Sequence, residues 1–415
     1  MAEGLLFNRE EGVISAGEKL LAEGGVEVDH QMLFDAHAHL LKEYKKLFTQ
    51  TKRLVRMDDR HQGELSKKTK ELHLRNEFIK KTFGRYMSDE VVEKLLDSQD
   101  GLNLGGQSLT VTVMFSDLRG FSAISEALAP ETVVEMLNDY LKVMTHIIFK
   151  YSGTINEIMG DGILMLFGAP NMRLDDSDRA IACAIEMQLA MEKVNINNRE
   201  KGLPELEMGI GINTGKVIAG NVGSDMRVKY AAVGSNVNLA ARVESFTVGG
   251  QILVTESTLK ALSSEVKVGS ELVVPFKGIK KPVTIYEITG ILGPYQQILP
   301  EKLVSYRTLT QALEIDFEML DGKQASGDVQ KGRITHLAGK SALLLSPVAL
   351  PALSNLKFYP SSFGVQIEQD PAYAKVLKSQ NEGCYEIYFT FVPAEIRSSL
   401  DQLFAQAFID PDVNP

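Results

Sequence analysis

The stretch Val111-Thr-Val-Met-Phe-Ser-Asp-Leu-Arg-Gly-Phe121 is followed about forty residues later by Ile155-Asn-Glu-Ile-Met-Gly-Asp-Gly-Ile-Leu-Met-Leu-Phe167. In the first stretch, apolar residues alternate with smaller or polar ones, which predicts a half-buried strand that delivers Asp117 to its end. In the second, two apolar runs flank Met-Gly-Asp-Gly, which predicts a hairpin with Asp161 at its tip. A strand end and a neighbouring hairpin tip can bring two carboxylates together.

Two carboxylates that lie close together repel each other, and the pKa of one of them rises unless a cation neutralises the pair. Oxygen ligands of this kind suit Mg²⁺ or Mn²⁺. The pair Asp117 and Asp161 therefore predicts a divalent-metal site.

Strand and helix patterns alternate across the region around this pair. A helical pattern runs from Pro130 to Tyr151, a second from Asp178 to Asn198, and a further strand from Leu206 to Thr214. With the first strand and the hairpin, the order is β-α-β-β-α-β. This order predicts an α+β fold of ferredoxin-like type, with helices over one face of an antiparallel sheet.

Four ordered motifs carry a family resemblance. Besides Phe-Ser-Asp-Leu-Arg-Gly-Phe and Met-Gly-Asp-Gly, the chain has Gly209-Ile-Gly-Ile-Asn-Thr-Gly215 and Val233-Gly-Ser-Asn-Val-Asn-Leu-Ala-Ala-Arg-Val-Glu-Ser245. Over residues 105–292 the sequence resembles the catalytic domain of the class III nucleotide cyclases, the adenylate and guanylate cyclases. The resemblance implies a phosphorus-oxygen lyase of signal transduction that converts ATP or GTP to a 3′,5′-cyclic nucleotide and pyrophosphate.

The resemblance implies a role for each residue that matches a family motif. Asp117 and Asp161 would be the metal ligands, with two Mg²⁺ or Mn²⁺ ions per site. Asn238 would orient the ribose, Arg242 would meet charge developing on the α-phosphate, and Lys277 would bind phosphate. Asn238 and Arg242 are four residues apart on a predicted helix, so both can point into the same site.

The turn after the first strand is a candidate for holding phosphate oxygens. Its backbone amides can act together, and Gly120 permits a close approach. The residues concerned are Leu118, Arg119, Gly120 and Phe121.

The sequence is compatible with either adenine or guanine as the base of the nucleotide. In adenylate cyclases a lysine commonly precedes the second metal aspartate by four residues, and an aspartate or threonine-like residue precedes the asparagine by seven. Here these positions hold Glu157 and Ala231. A carboxylate can accept from N1–H and the 2-amino group of guanine, but it can also accept from the 6-amino group of adenine.

A heptad pattern precedes the cyclase-like region. Leu33, Leu40, Leu47 and Leu54 recur every seven residues, and Leu65, Leu72 and Ile79 resume the register. The pattern therefore predicts a coiled coil or helical linker over residues 31–104. The alternative interpretation is a long helix that packs on its own domain. In the resembling family the metal aspartates come from one subunit and the Asn/Arg pair from the other, which implies a homodimer.

Composition limits the remaining classes of function. With 54 acidic and 44 basic residues, the net charge of −10 disfavours nucleic acid and anionic membranes as partners. The two cysteines, the absence of a long apolar run and the lack of a signal-like start predict a cytoplasmic protein without a membrane span. Residues 1–30 show no clear period and are treated as a lead-in.

Residues 300–415 predict a small β-rich domain with a closing helix from Ala394 to Phe408. This part resembles a PilZ-type barrel, without the arginine pair and Asp/Asn-x-Ser-x-x-Gly signature of that family. We expect a regulatory or interaction module. Two alternatives to the enzyme remain: an inactive cyclase-like nucleotide-binding regulator, and a structural dimerisation protein.

Overall fold

The computed structural model describes residues 15, 18, 19, 22, 30–83, 104–224, 226–276, 282–301, 305–321, 324–325, 327–364, 370–381 and 383–409. The chain divides into two compact units, residues 1–83 and 84–415. The first unit contains the helix α1, His30–Phe83. The segment of residues 84–103, where the sequence also predicts a helix, lies outside the described residues.

The second unit begins with an α+β region built on one large sheet. Its helices are α2 (Phe121–Ala127), α3 (Pro130–Lys150), α4 (Asp176–Glu200), α5 (Ser235–Ser245) and α6 (Glu256–Lys260). Its strands are β1 (Gly105–Leu118), β2 (Thr154–Met159), β3 (Gly162–Phe167), β4 (Met208–Ser224), β5 (Arg227–Val233), β6 (Ile252–Thr255), β7 (Val266–Val274), β8 (Val283–Ile291) and β9 (Gln297–Ile298).

The strand order in this sheet is β2-β3-β1-β4-β6-β8-β7, with β5 beside β4 and β9 beside β8. Mixed α and β structure is present, as predicted. The four strands of the predicted unit, β2, β3, β1 and β4, pair antiparallel. Beyond that unit, β4 and β6 are parallel.

The two helices of the predicted unit, α3 and α4, lie on one face of the sheet, and α5, which follows that unit, covers the other face. Met114 of β1 packs with Met136 of α3 and Ile181 of α4 in the largest apolar cluster. The preceding residue, Val113, points the other way and packs with Val237 and Ala240 of α5. Successive side chains of a strand point to opposite faces, so β1 is buried on both sides.

The fourth strand is longer than predicted, and the fifth is absent from the predictions. Glycines interrupt the period-two pattern of β4, since they stand where another backbone lies close by. A Cβ at Gly220, for example, would lie 2.2 Å from the carbonyl oxygen of Gly105 on β1. Strand β4 therefore pairs with β1 along its whole length and then turns back into β5.

The rest of the second unit is a closed barrel, here called the C-terminal barrel (residues 307–409). Its strands are β10 (Arg307–Asp321), β11 (Gln324–Ala325), β12 (Gln330–Ala338), β13 (Ser341–Leu345), β14 (Asn355–Phe358), β15 (Ala372–Asn381), β16 (Cys384–Phe391) and β17 (Phe408–Ile409), with helix α7 (Ala394–Gln406). The path β10-β12-β13-β16-β15-β14 closes because β14 also pairs with β10. Phe317, Phe358 and Phe389 fill its interior.

None of the helices among the described residues has an apolar stretch sufficient to cross a bilayer.

Candidate active site

Asp117 and Asp161 lie together at one edge of the sheet. Asp117 is the last residue but one of β1, and Asp161 lies in the two-residue turn between β2 and β3. Gly160, with φ 65°, supplies the left-handed conformation of that turn. The backbone N–H of Leu118 donates a hydrogen bond to the Asp161 carboxylate at 3.0 Å, which ties the hairpin tip to the end of β1.

The electrostatics of the pair match the sequence argument. Burial, and secondly the negative charge of Asp117, raise the pKa of Asp161 to about 6. Among the described residues there is no cluster of three or more histidine, cysteine, aspartate or glutamate side chains that could hold a metal ion. The two carboxylates therefore offer an incomplete set of oxygen ligands, which a triphosphate could complete.

Arg119 connects the end of β1 to α5. Its guanidinium donates to the Asp117 carboxylate at 3.1 Å and also pairs with Glu244 of α5. Burial lowers the pKa of Arg119, although the charge of Asp117 opposes that shift. The predicted role of this residue was confined to its backbone amide, whereas its side chain links Asp117 of β1 to Glu244 of α5.

The predicted phosphate cradle of four backbone amides is only partly available. The N–H of Leu118 is used by Asp161, and the N–H of Arg119 donates to the carbonyl of Glu207 at 2.7 Å. Gly120 and Phe121 remain, at the start of α2. The close approach at Gly120 comes from the C-terminal barrel, because a Cβ there would lie 3.1 Å from the carbonyl oxygen of Thr390.

Asn238 and Arg242 lie on α5, the helix on the sheet face opposite α3 and α4. Both side chains are exposed. The helix places them one turn apart on the same side, as the spacing of four residues predicts.

The two candidate base-reading residues, Glu157 and Ala231, lie on neighbouring elements. Glu157 of β2 forms an ion pair with Lys229 of β5 at 2.7 Å, and each side chain is a little under half exposed. Ala231 follows two residues after Lys229 on the same strand, so both project to the same side of the sheet. Lys277, the predicted phosphate-binding lysine, lies outside the described residues.

The sequence predictions miss four side chains near the site. Lys229 is one of them, although the alternation in β5 carries the signal that places it beside Ala231. The other three are Glu207, Lys375 and Tyr388, whose contacts join residues more than a hundred positions apart in the chain. No local sequence pattern reports such contacts.

Comparison with known proteins places this geometry in a family. Residues 106–290 match the family described as the adenylate and guanylate cyclase catalytic domain. Adenylate cyclase 1 of Rhizobium meliloti (strain 1021) is 30% identical over 285 residues, which are 66% of this chain and 42% of that protein. The adenylate cyclase of Anabaena cylindrica is 34% identical over 224 residues, covering 51% and 44%.

Among solved structures, the crystal structure of the guanylyl cyclase Cya2 is 50% identical, with a TM-score of 0.47, and covers 48% of this chain and 100% of that one. The chain spans less than half the length of the two curated relatives. Through residues 106–290, it belongs to the adenylate and guanylate cyclase catalytic domain family.

Proposed function

We propose that this protein converts a purine ribonucleoside triphosphate to its 3′,5′-cyclic monophosphate and pyrophosphate. In this reaction the 3′-oxygen bonds to the α-phosphorus, and the bond from that phosphorus to the bridging oxygen breaks. The observation that carries the proposal is the contact of Asp117 and Asp161 at the strand end and hairpin tip. The family match over residues 106–290 supports it.

The donor set at this pair fits two Mg²⁺ or Mn²⁺ ions, since both ligands are carboxylates and their repulsion is relieved by a cation. Asp117 and Asp161 would hold the ions. When bound, the ions would acidify the 3′-hydroxyl and neutralise the leaving pyrophosphate.

The remaining roles fall to two side chains of α5 and to Lys277. Asn238 orients the ribose, and Arg242 offers its guanidinium to the α-phosphate as negative charge develops there. Lys277 adds a cation for the terminal phosphates. Exposure of Asn238 and Arg242 supports a site that a second subunit completes.

We place this site at the interface of a homodimer, where one protomer supplies the two aspartates and its partner supplies Asn238 and Arg242. The strand order β2-β3-β1-β4 supports a ferredoxin-like core in each protomer. This part of the sheet packs against α3 on one face and α5 on the other. The helix α1 would hold the two copies together, because its heptad leucines Leu40, Leu47 and Leu54 are exposed.

For the base, the ion pair of Glu157 and Lys229 favours guanine. A carboxylate accepts from N1–H and the 2-amino group, while the ammonium beside it can donate to O6. Adenine offers the carboxylate only its 6-amino group. The methyl side chain of Ala231 contributes no hydrogen bond to either base.

The first test is incubation of the purified full-length protein with each of the four nucleoside triphosphates and Mn²⁺ or Mg²⁺, with products identified by mass. A cyclic purine nucleotide is expected. Binding of nucleotide without product would instead support the alternative of an inactive cyclase-like regulator.

The second test is complementation between two inactive variants. Asp161→Ala supplies an intact α5, and Arg242→Ala supplies intact aspartates. The mixture is expected to recover activity through one complete site per mixed dimer. Absence of recovery, in a mixture shown to exchange subunits, would contradict the shared site.

A further inference from the structure

The C-terminal barrel contacts the cyclase region through a buried lysine. Lys375 of β15 is 3% exposed, although lysine is almost never fully buried without a partner. Its Nζ donates to the carbonyl oxygen of Ser245 at 2.7 Å and to that of Thr247 at 3.2 Å. Ser245 is the last residue of α5, and Thr247 follows the end of the helix by two residues.

The contact with Ser245 satisfies a hydrogen-bond acceptor at the end of α5. The last carbonyls of a helix have no partner inside the helix, so a donor from elsewhere must satisfy them when they are buried. Burial, and secondly the positive charge of Arg119, lower the pKa of Lys375 to about 7. A neutral amine still has two N–H groups, enough for the two carbonyls.

Apolar packing joins the same helix to the barrel. Leu353 of the barrel lies in one buried cluster with Val243 of α5 and with Leu253 and Phe276 of the cyclase region. Val243 adjoins Arg242, and Ser245 follows Arg242 by three residues. The barrel therefore contacts α5 at the helical turn that carries Arg242.

We propose that Lys375 is a positioning residue that fixes the C-terminal turn of α5 and so the direction of the Arg242 side chain toward the substrate. This inference rests on the proposed cyclase function. The side chain of Lys375 makes its contacts with backbone carbonyls and does not touch substrate. Small displacements of a group that stabilises a transition state cost large factors in rate, so the contact acts on kcat.

The mixed dimers of the complementation test isolate this effect. In them, Arg242 comes from the Asp161→Ala chain and the aspartates come from the Arg242→Ala chain. We place Lys375→Met either on the chain that supplies Arg242 or on the chain that supplies the aspartates. Both mixtures contain the same three substitutions, so a general loss of folding lowers both equally.

The expected result is an asymmetry in turnover. With Lys375→Met on the chain that supplies Arg242, kcat should fall about tenfold, and KM should change less than about twofold. With the substitution on the other chain, both values should stay within about twofold. Equal losses in the two placements, or no loss in either, would overturn the positioning role.

Lys378→Met is the matched control, because Lys378 lies on the same strand and is 63% exposed with Glu386 as its partner. It should leave both placements unchanged. If the parental mixture is inactive while the unmodified protein makes product, the shared site fails separately from Lys375. The Lys375→Met homodimer then decides: a fall in kcat with KM retained supports the role, and any other result contradicts it.

Discussion

The carboxylate of Asp161 is held where both burial and a neighbouring negative charge oppose its ionisation. Local structure holds the carboxylate in this unfavourable electrostatic environment. The N–H of Leu118 and the tight turn at Gly160 fix its position. A site of this kind is preorganised for cations: the repulsion is present before the ions arrive and is relieved when they bind.

Replacement of Asp161 by asparagine should therefore separate activity from stability. We expect Asp161→Asn to reduce cyclase turnover at least about a hundredfold, because a metal ligand is lost. The unfolding midpoint at pH 7.5 without metal should stay level or rise, because the repulsion with Asp117 is removed. Turnover assays and thermal unfolding measure the two effects. Asp401→Asn, an exposed position on α7, is the control, and retained turnover in Asp161→Asn would refute the metal assignment.

Base selection is a second question at this scale. We expect Glu157→Gln to lower kcat/KM for GTP by about tenfold or more, because one of the two acceptor oxygens is replaced by an NH2 group, which donates and would face a donor of the guanine. The value for ATP should change less. Paired assays with both nucleotides measure the ratio, and Glu271→Gln on the exposed part of β7 is the control. An unchanged ratio would remove Glu157 as the base reader.

The aspartates could be predicted from the sequence because strand periodicity and turn chemistry place them locally. The ion pairs of Arg119 and Lys229 could not be predicted in this way. Their partners, Glu244 and Glu157, come from other elements, and only the packed sheet brings each pair together.

Among the elements, α5 is the one whose position matters most and was least predictable. Its sequence predicts a helix, yet nothing in its period says which face of the sheet it covers. In the structure, α5 lies against Gly211 of β4, where a Cβ would be 2.1 Å from the backbone nitrogen of Glu244. The helix backbone lies directly on the strand there, and only glycine leaves the space.

Gly211→Ala should therefore displace α5. We expect a loss of about 1–3 kcal/mol in the free energy of unfolding, as for other overpacked positions, and a fall in kcat because Arg242 moves with the helix. Denaturant unfolding and turnover assays measure the two. Gly63→Ala is the matched control, since nothing lies within 4 Å of the Cβ built there and alanine favours the helix α1. Equal stability of the two variants would contradict the close packing.

At the scale of the whole molecule, the C-terminal barrel and the cyclase region form one unit. Tyr388 donates to Glu207 at 2.7 Å, Lys340 pairs with the same carboxylate at 3.0 Å, and the backbone of Glu207 accepts from Arg119. The barrel thus reaches the turn after β1, beside Asp117, as well as α5. The sequence predicts a β-rich module here. Its contacts with the site could not be predicted, because they depend on tertiary packing, which produces no periodic pattern in the sequence.

A pH dependence follows from the buried lysine. Its ordinary pKa of 10.5 falls to about 7 in the folded chain, so between these values the unfolded chain binds a proton that the folded chain lacks. The free energy of unfolding should then rise with pH across this window, by at most about 1.4 kcal/mol per pH unit from this group. The charged or titratable groups of the surrounding elements are Arg119, Glu244, Glu207, Lys340 and Tyr388.

Denaturant unfolding of the unmodified protein and Lys375→Met at pH 7.5, 8.5 and 9.5 isolates the contribution of this lysine, because the other groups are common to both. The difference in unfolding free energy should grow toward high pH in favour of the unmodified protein. Parallel pH curves would show that Lys375 titrates normally in the folded state.

The last prediction concerns assembly through α1, whose exposed heptad leucines lack an apolar partner within the described part of their own unit. Leu47→Glu with Leu54→Glu in the full chain should shift the protein toward monomer, because charges enter the predicted seam. Turnover per chain should then fall steeply on dilution, since each site needs two protomers. Sedimentation velocity and assays across a concentration series measure both effects. Thr49→Glu with Arg56→Glu, also seven residues apart but off the seam, adds more negative charge and should leave the dimer intact. A dimer that persists with both leucines replaced would assign assembly to the cyclase region alone.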